Sequence, residues 1–147
     1  GTTIGRPGLV PGADGTPRRP GLCAVVVDRL DRKSLLSALR RRRCYAVSGR
    51  RILLDVRLND ATMGDLVEAD FIERHISVRT WAERPVARID IIKNGQVIHQ
   101  ASGKGLYETT ELRDYIVQAP LDWYVVRVTL DDGSLALGSP IRVRQLS

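Results

Sequence analysis

The 147-residue sequence holds one phenylalanine, one methionine and two cysteines, and aromatic residues make up only 5% of it. So few aromatics leave little from which to build base-stacking platforms for nucleic acid. Two cysteines, Cys23 and Cys44, cannot form a disulfide framework, and neither sits in a C-x-x-C pair. They are expected as free, partly buried thiols in a reducing compartment, with a Cys23–Cys44 bridge as the other option. Only His75 and His99 offer imidazoles, and no H-E-x-x-H or other metal-ligand spacing surrounds them. His75 shares strand parity with Glu73, so both histidines are assigned to wet sheet faces. Ser48 lacks a G-x-S-x-G elbow, residues 103–105 are too short for a phosphate loop, and Asp131, Asp132 and Gly133 lack the remaining calcium ligands. No apolar run reaches the roughly 18 residues of a membrane-spanning helix, and the start has no charged region followed by an apolar stretch. The expected compartment is therefore the cytoplasm. The first residue is Gly1 rather than methionine, which points to a processed or truncated chain.

What is present is a globular composition, with 43% hydrophobic and 27% charged residues. Lysine and arginine total 23 against 17 acidic residues, a formal net charge of +6. Such a charge permits contact with anions without demanding it. It is partly local: Arg40, Arg41, Arg42 and Arg43 are consecutive, and Arg50 and Arg51 follow closely. This run reads as the last turn of a helix, where cations favour the negative end of the dipole. It is also a candidate anion patch. Nucleic-acid binding is disfavoured.

Residues 1–21 carry four of the seven prolines and many of the glycines, and read as loop. Residues 23–27, with three consecutive valines, read as a strand buried on both faces. Asp31 is a helix N-cap candidate, and Leu35, Leu36 and Leu39 share a helical face, which predicts a helix over 32–43. From residue 51 the period becomes two. Strands are expected at about 52–58, 72–79 and 86–93, then 96–99 after the Asn94-Gly95 hairpin turn, then 123–130 and 141–144. Asp132-Gly133 marks a second tight turn. The fold class expected is mainly β: an antiparallel immunoglobulin-like β-sandwich over 51–147, preceded by a loop, one strand and one α-helix.

Several segments, taken in order, carry a resemblance. They are G-R-P-G at 5–8, G-L-C-A-V at 21–25, L-D-R-K-S-L-L-S-A-L-R-R-R-R-C-Y-A-V-S-G at 30–49 and R-I-L-L-D at 51–55. Asn94-Gly95, Y-V-V-R-V-T at 124–129, Asp132-Gly133 and S-P-I-R-V at 139–143 follow. The ordered set resembles the C-terminal portion of a poorly characterised branch of the polymerase-and-histidinol-phosphatase (PHP) superfamily, with its β-sandwich tail. The resemblance implies a parent protein with a distorted strand-and-helix barrel, where His, Asp and Glu hold divalent metals for phosphoesterase-like hydrolysis. None of those metal ligands maps onto a residue here, so this chain needs no cofactor and is expected to be inactive alone. By the same resemblance, residues 1–50 are the end of the barrel and 51–147 an accessory sandwich. Arg6, from G-R-P-G, with Tyr45 and Ser48, would lie near the phosphate or substrate.

Two partner expectations follow. If an upstream PHP-like barrel is missing, the strand at 23–27 and the leucine face are left bare, and residues 21–45 would mediate self-association or contact with a partner. The alternative function is a freestanding β-sandwich binding module for protein or carbohydrate, using Trp81, Tyr107 and Trp123.

Overall fold

The computed structural model describes residues 10–11, 17–18, 21–70 and 72–146. Its first pairing is a short antiparallel ladder between β1 (Val10–Pro11) and β2 (Pro17–Arg18), where the sequence suggested only loop. Two-residue strands tolerate proline because so few ladder bonds are required of them.

β3 (Leu22–Val25) leads into α1 (Arg32–Arg40) and returns through β4 (Cys44–Ser48), to which it pairs antiparallel. Asp31 caps the helix as expected, accepting from the Ser34 backbone N–H at 2.7 Å. The helix ends three residues short of the predicted 43. Arg42 takes a left-handed conformation, φ 57°. Arg43 N–H reaches Ala38 C=O at 2.9 Å and Arg42 N–H reaches Leu39 C=O at 3.0 Å. That double closure is a Schellman stop, so only Arg40 of the four arginines lies inside the helix.

The remaining strands are β5 (Ile52–Leu58), β6 (Ala61–Thr62), β7 (Leu66–Ala69), β8 (Arg74–Ala82), β9 (Val86–Lys93), β10 (Gln96–Ser102), β11 (Tyr107–Asp114), β12 (Leu121–Leu130), β13 (Leu135–Gly138) and β14 (Ile141–Gln145). They form two facing sheets. The smaller has the order β11-β8-β5-β6. The larger runs β10-β9-β12-β13-β4-β3, with β14 and β7 as a branch from β12. The ten-residue β12 is long enough to serve two neighbours along one edge. Leu121 to Tyr124 pair with β14, and Arg127 to Thr129 pair with β13. Asn94 and Gly95 both have positive φ, as a type I′ hairpin turn between β9 and β10 requires. The β7–β14 pair is parallel, the one departure from the expected antiparallel pattern among the described strands.

The core follows from alternation. Ile52, Leu54, Val56 and Leu58 of β5, and Ile76 and Val78 of β8, face Ile89 and Ile91 of β9 and Tyr124, Val126 and Val128 of β12. The fold is the mainly β sandwich with a leading strand and helix that the sequence predicts. Its limit differs, however. β4 pairs with β13, and Tyr45 and Val47 are core residues, so the larger sheet crosses the boundary at residue 50. The strand expected to be buried on both faces is instead an edge, with Leu22 and Cys23 exposed. Of its apolar run, Ala24 packs against the core and Val25 and Val27 are half-buried, and Leu22, Cys23 and Val26 are left exposed.

Candidate functional site

Helix α1 is amphipathic with its apolar side turned the wrong way. At 100° per residue, Leu35, Leu36 and Leu39 lie on one side and Ser34, Ser37 and Ala38 on the other. The small, polar side is the one that packs: Ala38 is buried and the two serines are half-buried. The leucines face outward, 38–42% exposed. Leu30 is 96% exposed, and Leu22 and Val26 beside the β3 edge are exposed too. A surface helix ordinarily turns its leucines to the core, because covering each one is worth about 1.5–3 kcal/mol. An outward leucine face on α1, together with exposed aliphatic side chains along a bare strand edge, marks surface shaped to be covered.

The residues singled out from the sequence do not converge. Arg6 lies outside the described residues. Tyr45 is a core side chain whose hydroxyl donates to Ile52 C=O at 2.9 Å, and burial pushes its pKa up. Ser48 points out of the opposite face of β4, where its Oγ accepts from Leu135 N–H. Tyr45 and Ser48 therefore share no surface. Arg40, Arg41, Arg42 and Arg43 occupy successive positions through a reversal of the chain; Arg41 and Arg43 line one groove beside α1, and Arg40 and Arg42 lie outside it. Cys23 and Cys44 are free thiols on adjacent strands. His75 sits on the outer face of the smaller sheet, 3.3 Å from Glu111. His99 differs from expectation: it is half-buried and reaches Thr110 Oγ1 at 2.7 Å, linking β10 of one sheet to β11 of the other.

Trp81, Tyr107 and Trp123 are all exposed, at 41%, 48% and 37%. Trp81 and Tyr107 are cross-strand partners whose ring centroids lie 4.8 Å apart at 30°. One face of each ring is turned toward the other, with the Arg79 guanidinium 5.9 Å from the Trp81 ring. Trp123 stands alone on the outer face of the larger sheet.

The largest concentration of buried charge lies elsewhere, at the end of the sandwich where β8, β9, β11 and β12 meet. Arg74, Lys93 and Asp122 have 0%, 1% and 0% exposure, and Asp114 9%. Arg74 Nη1 donates to Asp122 at 2.5 Å and to Tyr124 Oη at 2.9 Å. Lys93 Nζ donates to Asp114 at 2.6 Å and to Ile116 C=O. The Tyr124 hydroxyl donates to Asp114 at 2.6 Å. Asp122 also accepts from Asn94 Nδ2 and from the Gln118 and Ala119 backbone N–H groups. Two cations thus balance two carboxylates, and the cluster pins the 115–120 connection to the strand ends. Its four charged groups, Arg74, Lys93, Asp114 and Asp122, were missed from the sequence. Its carboxylates and cations serve one another, and Arg74 Nε alone among their polar atoms is buried without a partner. Among the described residues no group of three or more His, Cys, Asp or Glu is arranged to hold a metal.

This cluster sets a pH window. Burial alone would raise the Asp122 and Asp114 pKa values. Hydrogen bonds from Asn94, Arg74 and Gln118 to the first, and from Lys93, Tyr124 and Ile116 to the second, outweigh it and hold both below the usual range. Their stabilisation is complete above the unfolded carboxylate pKa of about 4 and is lost as pH falls through the folded values. Tyr124 moves the other way: burial, then the Asp114 carboxylate, raise its phenol. Its share is complete below about pH 10 and is lost above that. A thermal midpoint measured against pH is therefore expected to fall at both ends. Asp114→Asn should flatten the acid limb and Tyr124→Phe the alkaline limb.

No protein-family model matches the chain. Among curated proteins it is similar to an uncharacterised protein of Chlamydia trachomatis serovar D, 35% identical over 83% of this chain and 22% of that protein. Uncharacterised proteins of Chlamydia muridarum and Chlamydia pneumoniae are each 34% identical, over 83% and 84% of this chain. The chain spans about a fifth of the length of these relatives, 22% or 23%. Among solved structures it is similar to the fibronectin(III)-like modules of Clostridium thermocellum CbhA, with TM-score 0.44 and 15% identity over 69% of this chain and 60% of that one.

Proposed function

We propose that this chain is a non-catalytic accessory module of a larger protein, and that it docks onto a neighbouring domain through α1 and the β3 edge. The observation that carries the reading is the outward leucine face of α1. The match to about a fifth of much longer proteins agrees with it. The ordered segments from 5 to 55 and from 94 to 143 favour a PHP-like metal-dependent hydrolase barrel as that neighbour. A divalent metal would then belong to the barrel and not to this chain. Self-association through residues 21–45 is the fate of the same surface when the neighbour is absent.

Hydrogen exchange on the full-length parent and on the 147-residue chain tests the docking. The α1 amides should exchange more slowly in the parent, because covering the leucines suppresses local opening. Equal exchange in the two would overturn it. Replacing Leu35, Leu36 and Leu39 together by serine should cost the 147-residue chain no more than about 1.5 kcal/mol, about 0.5 kcal/mol at each of three surface positions. The same replacement should lower the stability of the parent by several kcal/mol. Divalent-metal-dependent phosphoesterase activity from the parent and none from this chain is the result the PHP reading expects. Activity from this chain alone would end the accessory reading.

A further inference from the structure

The arginines of this molecule divide into two populations. Most of those on the sandwich are matched: Arg50 with Asp132, Arg79 with Asp55, Arg84 with Asp131, Arg113 with Glu73, Arg127 with Asp90 and Arg144 with Glu68, with Arg142 of β14 as an exception. The α1 unit is different. Arg29, Lys33, Arg41 and Arg43 have no carboxylate partner among the described residues, yet they line a single groove of about 400 Å³ between residues 26–29 and the inner side of α1. Ser34 and Ser37 add hydroxyls to its wall. Only two acids, Asp28 and Asp31, share it, and both Asp31 oxygens are already committed to Ser34. Arg43 is half-buried, and its Nε, like those of Arg74 and Arg142 elsewhere in the fold, is shielded from solvent without a hydrogen-bond partner. A buried donor with nothing to donate to is costly unless something supplies the acceptor.

We propose that this groove is a binding site for a small phosphomonoester, held and not cleaved. Arg29, Lys33, Arg41 and Arg43 against Asp28 and Asp31 leave an excess of two positive charges, and a phosphomonoester carries about −1.5 to −2 at neutral pH. Two arginines supply the forked donors suited to phosphate oxygens, and Lys33 supplies a point charge at the rim. The volume exceeds what a lone carboxylate needs and leaves space for the organic part of the ligand. The groove lies on the inner side of α1, opposite the outward leucines, and shares Val26 with the exposed surface beside β3.

The test is titration of the 147-residue chain with inorganic phosphate and with glycerol 3-phosphate, at matched ionic strength, followed by amide shifts in two-dimensional NMR. Saturable shifts confined to residues 26–43 are expected. Arg41→Gln should weaken binding about tenfold, the loss of one charge-assisted contact. Lys33→Gln, at an exposed position, should weaken it several-fold and guards against an Arg41 variant that fails to fold. Arg40→Gln and Arg42→Gln, which lie outside the groove, should leave it unchanged. Equal weakening by all four variants, or stronger binding of a single-stranded oligonucleotide with no preference among them, would mean diffuse attraction to positive charge and overturn the proposal. Absence of saturable shifts with both phosphates would overturn it too.

Discussion

Asp122→Ala should destabilise the protein by about 3–5 kcal/mol, the cost of leaving a buried charge without its partner. Arg74 is wholly inside the protein and Lys93 almost so; with Asp122 gone, only Asp114 remains to balance them. The substitution also strips acceptors from the Gln118 and Ala119 N–H groups and from Asn94, so the 115–120 connection and the β9–β10 turn both lose an anchor. For a chain of this length, a loss on that scale lowers the thermal midpoint by roughly 10 °C or more. The comparison that isolates the ion pair is the double variant Arg74→Met with Asp122→Leu. It removes both charges and fills their space, and it should recover a substantial part of what either single change loses. A double variant as unstable as the sum of the singles would show that the cost comes from packing and not from charge.

Gly64→Ala should be nearly as damaging, for a backbone reason. Gly64 has φ 93°, a conformation that strains any other residue. A methyl there would sit 2.3 Å from Arg41 C=O and 2.5 Å from Arg42 C=O, inside contact distance with main-chain atoms that cannot swing away. Left-handed strain and overpacking each cost about 1–3 kcal/mol, so a loss of about 3 kcal/mol or more is expected. The damage has a direction. Gly64 lies between β6 and β7, and Arg41 and Arg42 form the Schellman end of α1, so the clash drives the helix end away from the sandwich. Thermal unfolding should show the loss of stability, and phosphate titration of the same variant should show weakened binding where Arg41 and Arg43 have moved. A variant of unchanged stability would mean that the turn and the helix end separate easily.

Much of the sandwich was legible because its signals are local. Asn94-Gly95 marked a hairpin whose two positive φ angles are what those residues favour. The period-two apolar runs of β5, β9 and β12 fixed which side chains face in. β11 escaped because its inward positions include Glu108 and Thr110 beside a single Leu112, so no apolar alternation announces it. β4 escaped because five residues between a helix and a glycine carry too little pattern to separate strand from connection. The buried ion cluster was readable in principle. Lys93 continues the inward parity of Ile89 and Ile91, Asp122 that of Tyr124 and Val126, and Arg74 that of Ile76 and Val78. Charges at the inward position of three strand ends mark groups that must find one another. Which charge meets which is a matter of register between strands, and single-strand periodicity does not contain it. The leucine face of α1 was visible as a face. Its direction was not, since an amphipathic pattern states that something must cover it and not whether the cover is in the same domain.

The pairing of β4 with β13 has a consequence for how the molecule comes into being. β3, α1 and β4 precede the rest of the sandwich along the chain, yet the place of β4 in the larger sheet does not exist until some ninety further residues have been made and β13 has laid itself along β12. Until then β4 has no partner on the side that β13 will take, and that strand edge stays open. Non-local pairing of this kind is slow to close, because loop entropy must be overcome before any contact rewards it. In a growing chain the stretch most prone to stray association is therefore also the one that waits longest for its partner.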